Sequence, residues 1–167
     1  MKIKAILMTA AMAFVSTMAM AQAKLTAEPL NVVPGEEFTL PVNMTSDNLA
    51  STITLRITGS EGLTITRVAR GEGLTQKDEY GEYYYNAPLF NPENGKFVVG
   101  TMNPTATVAD GEFIKVIGKA DPTFTGGTIT ISDICIVNKA ADQINTEETL
   151  TVDVTAVTTG INGVKNV

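Results

Sequence analysis

Phe38-Thr39-Leu40-Pro41-Val42-Asn43-Met44-Thr45 alternates apolar and polar side chains over eight residues. Period 2 marks a strand with one buried face, because successive side chains leave a pleated backbone on opposite sides. A helix would put Phe38 and Leu40 on opposing sides, so the run cannot be one amphipathic stripe. Pro41 has no amide hydrogen to give a ladder, so this strand is expected at a sheet edge or with a bulge there. Val33-Pro34-Gly35-Glu36 ahead of it reads as a turn, with Pro and Gly supplying the φ values a turn needs.

The same period recurs on both sides of this run. Lys24 to Ala27 reads as a short first strand. Ile53, Leu55 and Ile57 alternate with threonines and Arg56, and Gly59-Ser60-Glu61-Gly62 separates them from Leu63 to Val68. Tyr83 to Asn86 and Lys96 to Met102 read as strands, with Asn91-Pro92-Glu93-Asn94-Gly95 turning the chain between them; Asn-Gly is a strong hairpin signal. Phe113 to Ala120, Thr128 to Asn138 and Leu150 to Val157 complete about nine strands. Polar loops fill 71–79 and 103–112, and no amphipathic helix interrupts the pattern. The expected class is all-β: a two-sheet β-sandwich with Greek-key or jelly-roll connections.

Composition narrows the chemistry. Among 167 residues there is no histidine, no tryptophan and one cysteine. Ser-His-Asp catalysis is excluded, and a nucleophilic cysteine would lack its usual base. Cys135, inside Ile134-Cys135-Ile136-Val137, reads as a small core-facing residue and has no partner for an intramolecular disulfide. No P-loop, dinucleotide fingerprint or zinc-ligand spacing occurs.

Lys2 and Lys4, the apolar run Ile6 to Val15 and Ala19-Met20-Ala21 have the layout of a signal peptide, residues 1–21, cleaved before Gln22. The run is too short for a membrane span, which takes roughly 20 apolar residues. Cleavage leaves 10 basic and 18 acidic residues, a net charge of −8, in one domain over 22–157. Such a surface repels nucleic acid and anionic lipid. The segment 158–167 reads as a C-terminal linker, the kind of segment that ordinarily joins a domain to something beyond it.

The order of strands resembles the cohesin family, secreted jelly-roll modules that bind dockerins in cellulosomes. Asn31-Val32-Val33-Pro34-Gly35-Glu36-Glu37-Phe38-Thr39-Leu40-Pro41-Val42 is similar to the family's Pro-Gly-Glu entry into its second strand. Asp110-Gly111-Glu112-Phe113-Ile114-Lys115-Val116 resembles the start of its seventh, Gly126 to Ile131 its eighth, and Leu150 to Val154 its last. Arg56-Ile57-Thr58-Gly59 stands where the family has an aromatic-Asp-Pro ending to its third strand. The tail Thr158 to Val164 resembles the approach to C-terminal sorting domains on secreted Bacteroidetes proteins. Carbohydrate-binding modules share much of the sandwich pattern.

All four tyrosines, Tyr80, Tyr83, Tyr84 and Tyr85, fall in one window. In a strand, Tyr83 and Tyr85 share one face and Tyr84 takes the other. Either the rings form an exposed binding patch, or one fills the core and the others cover strand neighbours. The cohesin resemblance implies that this window is the family's fifth strand, in the partner-binding sheet with the third, sixth and eighth. Tyr83, Tyr84 and Tyr85 are therefore the candidate contact residues. Asp78, Glu79 and Glu82 beside them are the paired-carboxylate type a glycosidase uses, although acids in a polar loop are ordinarily just solvated. Asp78-Glu79 and Asn91 to Asn94 are oxygen-rich enough to suggest structural calcium, but neither has EF-hand spacing, and no cofactor is expected. Asn43-Met44-Thr45 matches a glycosylation sequon by chance, mid-strand.

The expectation is a non-catalytic module, exported to the medium, cell surface or periplasm, that docks an extracellular protein, dockerin-type or other. A carbohydrate-binding module serving polysaccharide breakdown and a structural spacer are the alternatives; with no tryptophan, only tyrosines could stack on a sugar.

Overall fold

A computed structural model of the chain describes residues 22–158 and arranges them as two β-sheets face to face. The strands are β1 (Lys24–Thr26), β2 (Leu30–Val32), β3 (Glu37–Thr45), β4 (Thr52–Gly59), β5 (Leu63–Arg70), β6 (Leu89–Phe90), β7 (Lys96–Gly100), β8 (Gly111–Ala120), β9 (Gly126–Val137) and β10 (Leu150–Ala156). The order is β1-β3-β8-β5 in one sheet and β2-β10-β9-β4-β7-β6 in the other. The chain crosses between sheets at every connection except β6–β7 and β9–β10, which is a jelly-roll path. All pairings are antiparallel except β2 with β10. The signal peptide, 1–21, and most of the tail, 159–167, lie outside the described residues.

The alternation of β3 does what its pattern requires. Phe38, Leu40, Val42 and Met44 are buried, while Glu37, Thr39, Pro41, Asn43 and Thr45 are exposed. They face Ile53, Leu55 and Ile57 of β4 and the isoleucines of β9 in one core. Pro41 sits where β3 is open on one side, since β1 pairs only Asn43 to Thr45. A bulge follows at Val42/Asn43 against β8. The missing donor is thus tolerated by both devices at once.

There are ten strands rather than about nine. β2 and β6 span three and two residues, too short to show a period. Tyr83 to Asn86 is no continuous strand: Tyr83 and Tyr85 make single bridges to Lys77 and Thr101. Among the described residues the only helical element is a single 3-10 turn at Glu72–Leu74.

Cys135 is not core-facing. In β9, Ile129 and Ile131 are buried, then Ile134 and Ile136, so the parity of the strand changes between them. The ladder with β4 slips at the same place: Arg56 pairs Ser132 but Thr54 pairs Cys135. Asp133, with φ 51°, takes the left-handed conformation of a bulge residue. The inserted residue turns Cys135 outward, where it is half-buried beside Thr54.

Candidate partner-binding face

Four strands of the six-stranded sheet, β9-β4-β7-β6, form the surface of interest. Buried Ile53, Leu55 and Ile57 alternate with Thr52, Thr54, Arg56 and Thr58, so the latter four point away from the core. Registry then sets the outward rows. One runs Leu89, Val98, Thr54, Cys135 across the sheet. The next runs Lys96, Arg56, Ser132. Buried Phe97 and Val99 flank Val98, which is forced outward and is 40% exposed; Leu89 opposite it is 63% exposed. Met102, just past the end of β7, is 75% exposed. Leu89 and Val98 therefore form an exposed aliphatic pair at the β6–β7 margin, with Met102 further along the same edge. A hollow of about 380 Å³ lies there among Leu89, Phe90, Asn91, Asn94, Lys96 and Val98. A second, of about 250 Å³, touches Lys96 and Val98 from the β4 side and reaches Arg56 and Asp133.

The margin itself is built to resist strand addition. The Tyr84 carbonyl accepts from the Met102 amide at 2.7 Å, and the Asn86 amide donates to the Gly100 carbonyl at 3.1 Å. The Asn86 side-chain oxygen then accepts from the Gly100 amide at 2.6 Å, taking a bond a backbone carbonyl would otherwise make. Pro88 offers no donor. The segment 84–90 thus runs beside β7 as an interrupted edge, which suits docking onto the face better than pairing along the rim.

The three candidate tyrosines separate. Tyr85 is 1% exposed, and its hydroxyl donates to the Thr107 carbonyl, with Gln76 Oε1 an alternative acceptor 3.4 Å away. Burial, with a further push from Tyr84, raises its pKa above 10.0. A ring so placed fills the core and cannot meet a partner. Tyr84 is half-buried against the same core. Tyr83 is 39% exposed, but the Arg70 guanidinium carbon lies 4.1 Å and Lys77 Nζ 4.5 Å from its ring centroid. Cations at such distances are attracted to the π-face and occupy it. Tyr80 is the freest of the four, on a turn closed by Asp78.

The neighbouring acids are engaged in that turn. Asp78 Oδ1 accepts the amides of Tyr80 and Glu82, both at 2.9 Å, while Gly81 at φ 83° reverses the chain. Glu79 and Glu82 are solvent-exposed. Asn91 and Asn94 likewise accept the amides of Glu93 and Lys96 within their own turn.

The residues sequence reasoning passed over are Leu89, Val98, Arg56 and Lys96. The signal was present for two of them. Phe97 and Val99 read as inward, which leaves Val98 as an apolar side chain on the wet side. The 91–95 hairpin then sets Leu89 opposite it.

A two-sheet jelly roll with a broken edge strand, and with β2 and β10 paired in parallel, has the architecture of the cohesin fold. No protein-family profile matches the chain, and no curated protein matches it. Solved structures do. The cohesin of a type I cohesin–dockerin complex from Clostridium thermocellum is 12% identical, with TM-score 0.60 over 81% of this chain and 99% of that one. The sixth cohesin of Acetivibrio cellulolyticus scaffoldin B, in complex with a mutant dockerin, is 17% identical, with TM-score 0.61 over 81% and 99%. A non-cellulosomal cohesin from the archaeon Archaeoglobus fulgidus is 16% identical, with TM-score 0.58 over 83% and 93%.

Proposed function

We propose that the chain is an exported, non-catalytic protein-binding module. It uses the outer face of β9-β4-β7-β6 to dock a dockerin-type or other extracellular protein. The observation that carries this reading is the cross-strand pair Leu89 and Val98, left uncovered on an otherwise threonine-rich sheet. Exposed aliphatics grouped on a rigid sheet supply contact area that needs no ordering before binding. The cohesin-like fold supports the same assignment, since solved cohesins of this fold occur in complexes with dockerins. Export, to the medium, cell surface or periplasm, rests on residues 1–21 alone.

Glycan binding is the weaker reading, because the Tyr83 face is taken by Arg70 and Lys77, which leaves Tyr80, alone on its turn, as the one freely exposed ring among the tyrosines. The test is calorimetry of residues 22–158 against a panel of dockerins and of soluble plant and host polysaccharides, beside a Leu89→Asp variant. Binding to one or more dockerins, weakened roughly tenfold or more by Leu89→Asp with thermal stability unchanged, is the expected result. Saturable polysaccharide binding with no dockerin binding would replace this proposal with the glycan reading.

A further inference from the structure

The outer face differs in charge from the rest of the molecule. From Gln22 onward the chain carries 10 basic and 18 acidic residues. On the outward positions of β9-β4-β7-β6 the charged residues are Arg56, Lys96 and Asp133, a local balance of +1. Lys96 and Arg56 are direct cross-strand neighbours. Like charges so placed repel, and a sheet keeps them only with compensation. Asp133 compensates Arg56: Nε donates to its carboxylate at 3.0 Å, while Nη1 donates to the Asn94 carbonyl at 2.9 Å. Among the described residues Lys96 makes no ion pair.

Spacing completes the description. Lys96 and Val98 are two residues apart on one strand, so their side chains rise about 6.6 Å apart along it. Side chains one turn apart on a helix stand about 5–6 Å apart at Cβ. A helix laid along β7 can set an aliphatic side chain on Leu89 and Val98 while a carboxylate one turn away meets Lys96. An added strand would need the rim, where Pro88 has no amide hydrogen to give.

We infer that the partner of this face is an acidic–aliphatic helix, with Asp or Glu three or four residues from Leu, Ile, Val or Met. Lys96 receives the carboxylate and the Leu89–Val98 pair receives the apolar side chain. This rests on the reading of the face as a docking surface and adds the chemistry of what docks. Lys96 selects for acid because the field around the face is negative and repels a general acidic protein, so only a carboxylate delivered to this point gains a counter-ion.

A display library of a small helical protein, randomised on one exposed face, is selected against residues 22–158 and against Lys96→Glu, Lys96→Gln and Leu89→Asp. Circular-dichroism melts first establish that each variant is folded. Clones enriched on wild type should carry the acid–aliphatic spacing, bind Lys96→Glu roughly tenfold more weakly or worse, bind Lys96→Gln with a smaller loss, and fail to bind Leu89→Asp. Clones lost on Leu89→Asp but free of acidic excess and indifferent to Lys96→Glu overturn the inference and leave the docking face standing. Clones indifferent to Leu89→Asp, or no clones at all, overturn the face as well. Self-association of the chain that Leu89→Asp abolishes would put a second copy there and overturn the choice of occupant.

Discussion

Tyr85 carries its hydroxyl into the core and leaves it dependent on the Thr107 carbonyl, with Gln76 as a distant second partner. Removing that hydroxyl leaves a part-buried acceptor unpaired, which costs about 1 kcal/mol. Tyr85→Phe should lower the urea midpoint accordingly without touching any binding. The same burial makes stability fall in alkali. The folded pKa is raised, so the stabilising contribution is complete below the unfolded value of 10.0 and is lost as pH climbs from there through the folded value. Urea titrations between pH 8 and 11 should show wild type losing stability faster than Tyr85→Phe above pH 10; parallel curves would refute the assignment. Which of Tyr83, Tyr84 and Tyr85 would be buried could not be read from sequence. Parity arguments need a regular ladder, and here the turn at Asp78–Gly81 and the single bridges at Tyr83 and Tyr85 replace it.

β9 is the element where periodicity misleads most and can be tested most directly. Its alternation, Ile129 and Ile131 against threonines, extrapolates to Cys135 in the core. The bulge at Asp133 moves Ile134 and Ile136 inward instead. The pairing of Ile134 with Ile136 hinted at the change, because two isoleucines out of phase with two others cannot share a face in an unbroken strand. Buried Asn145 stabilises the shifted half: its side chain accepts from the Ile136 amide at 2.7 Å and donates to the Ile134 carbonyl at 2.9 Å. It thereby stands in for a neighbouring strand. Cys135→Ser should cost less than about 1 kcal/mol, whereas Ile134→Ser should cost about 3–5 kcal/mol by losing core volume and burying a hydroxyl. Guanidinium unfolding of the pair decides it, and the reverse ranking would mean the strand runs without the bulge. The long alternating strands, β3, β4 and β10, were by contrast plain in the sequence, since each shows enough positions for the period to register.

At the scale of the molecule, strand order was legible and the assignment of strands to sheets was not. That assignment depends on pairings such as β2 with β10, which join Leu30–Val32 to Val154–Ala156, more than 120 residues away. No local signal encodes such a contact. Physically it closes the sandwich. β1 pairs in one sheet and β2 in the other, so the segment 24–32 straps both sheets together, and among the described residues β10 is the only strand β2 pairs with. β10 also covers one edge of β9 along Gly126 to Ile131 and buries Val152 and Val154. Two valines withdrawn from the core forfeit about 3–6 kcal/mol, on the order of the whole margin of a small domain. The uncovered edge, Gly126-Gly127-Thr128-Ile129-Thr130-Ile131, is uncharged, β-prone and free of proline, which favours association with other chains. Residues 22–149 should therefore show no cooperative thermal transition and should aggregate, where residues 22–158 unfold in one step. Val154→Ala in the longer chain should stay folded and lose only about 1–3 kcal/mol. A dispersed amide spectrum and a sharp melt from the 22–149 chain would show that β2 and β10 decorate the sandwich rather than close it.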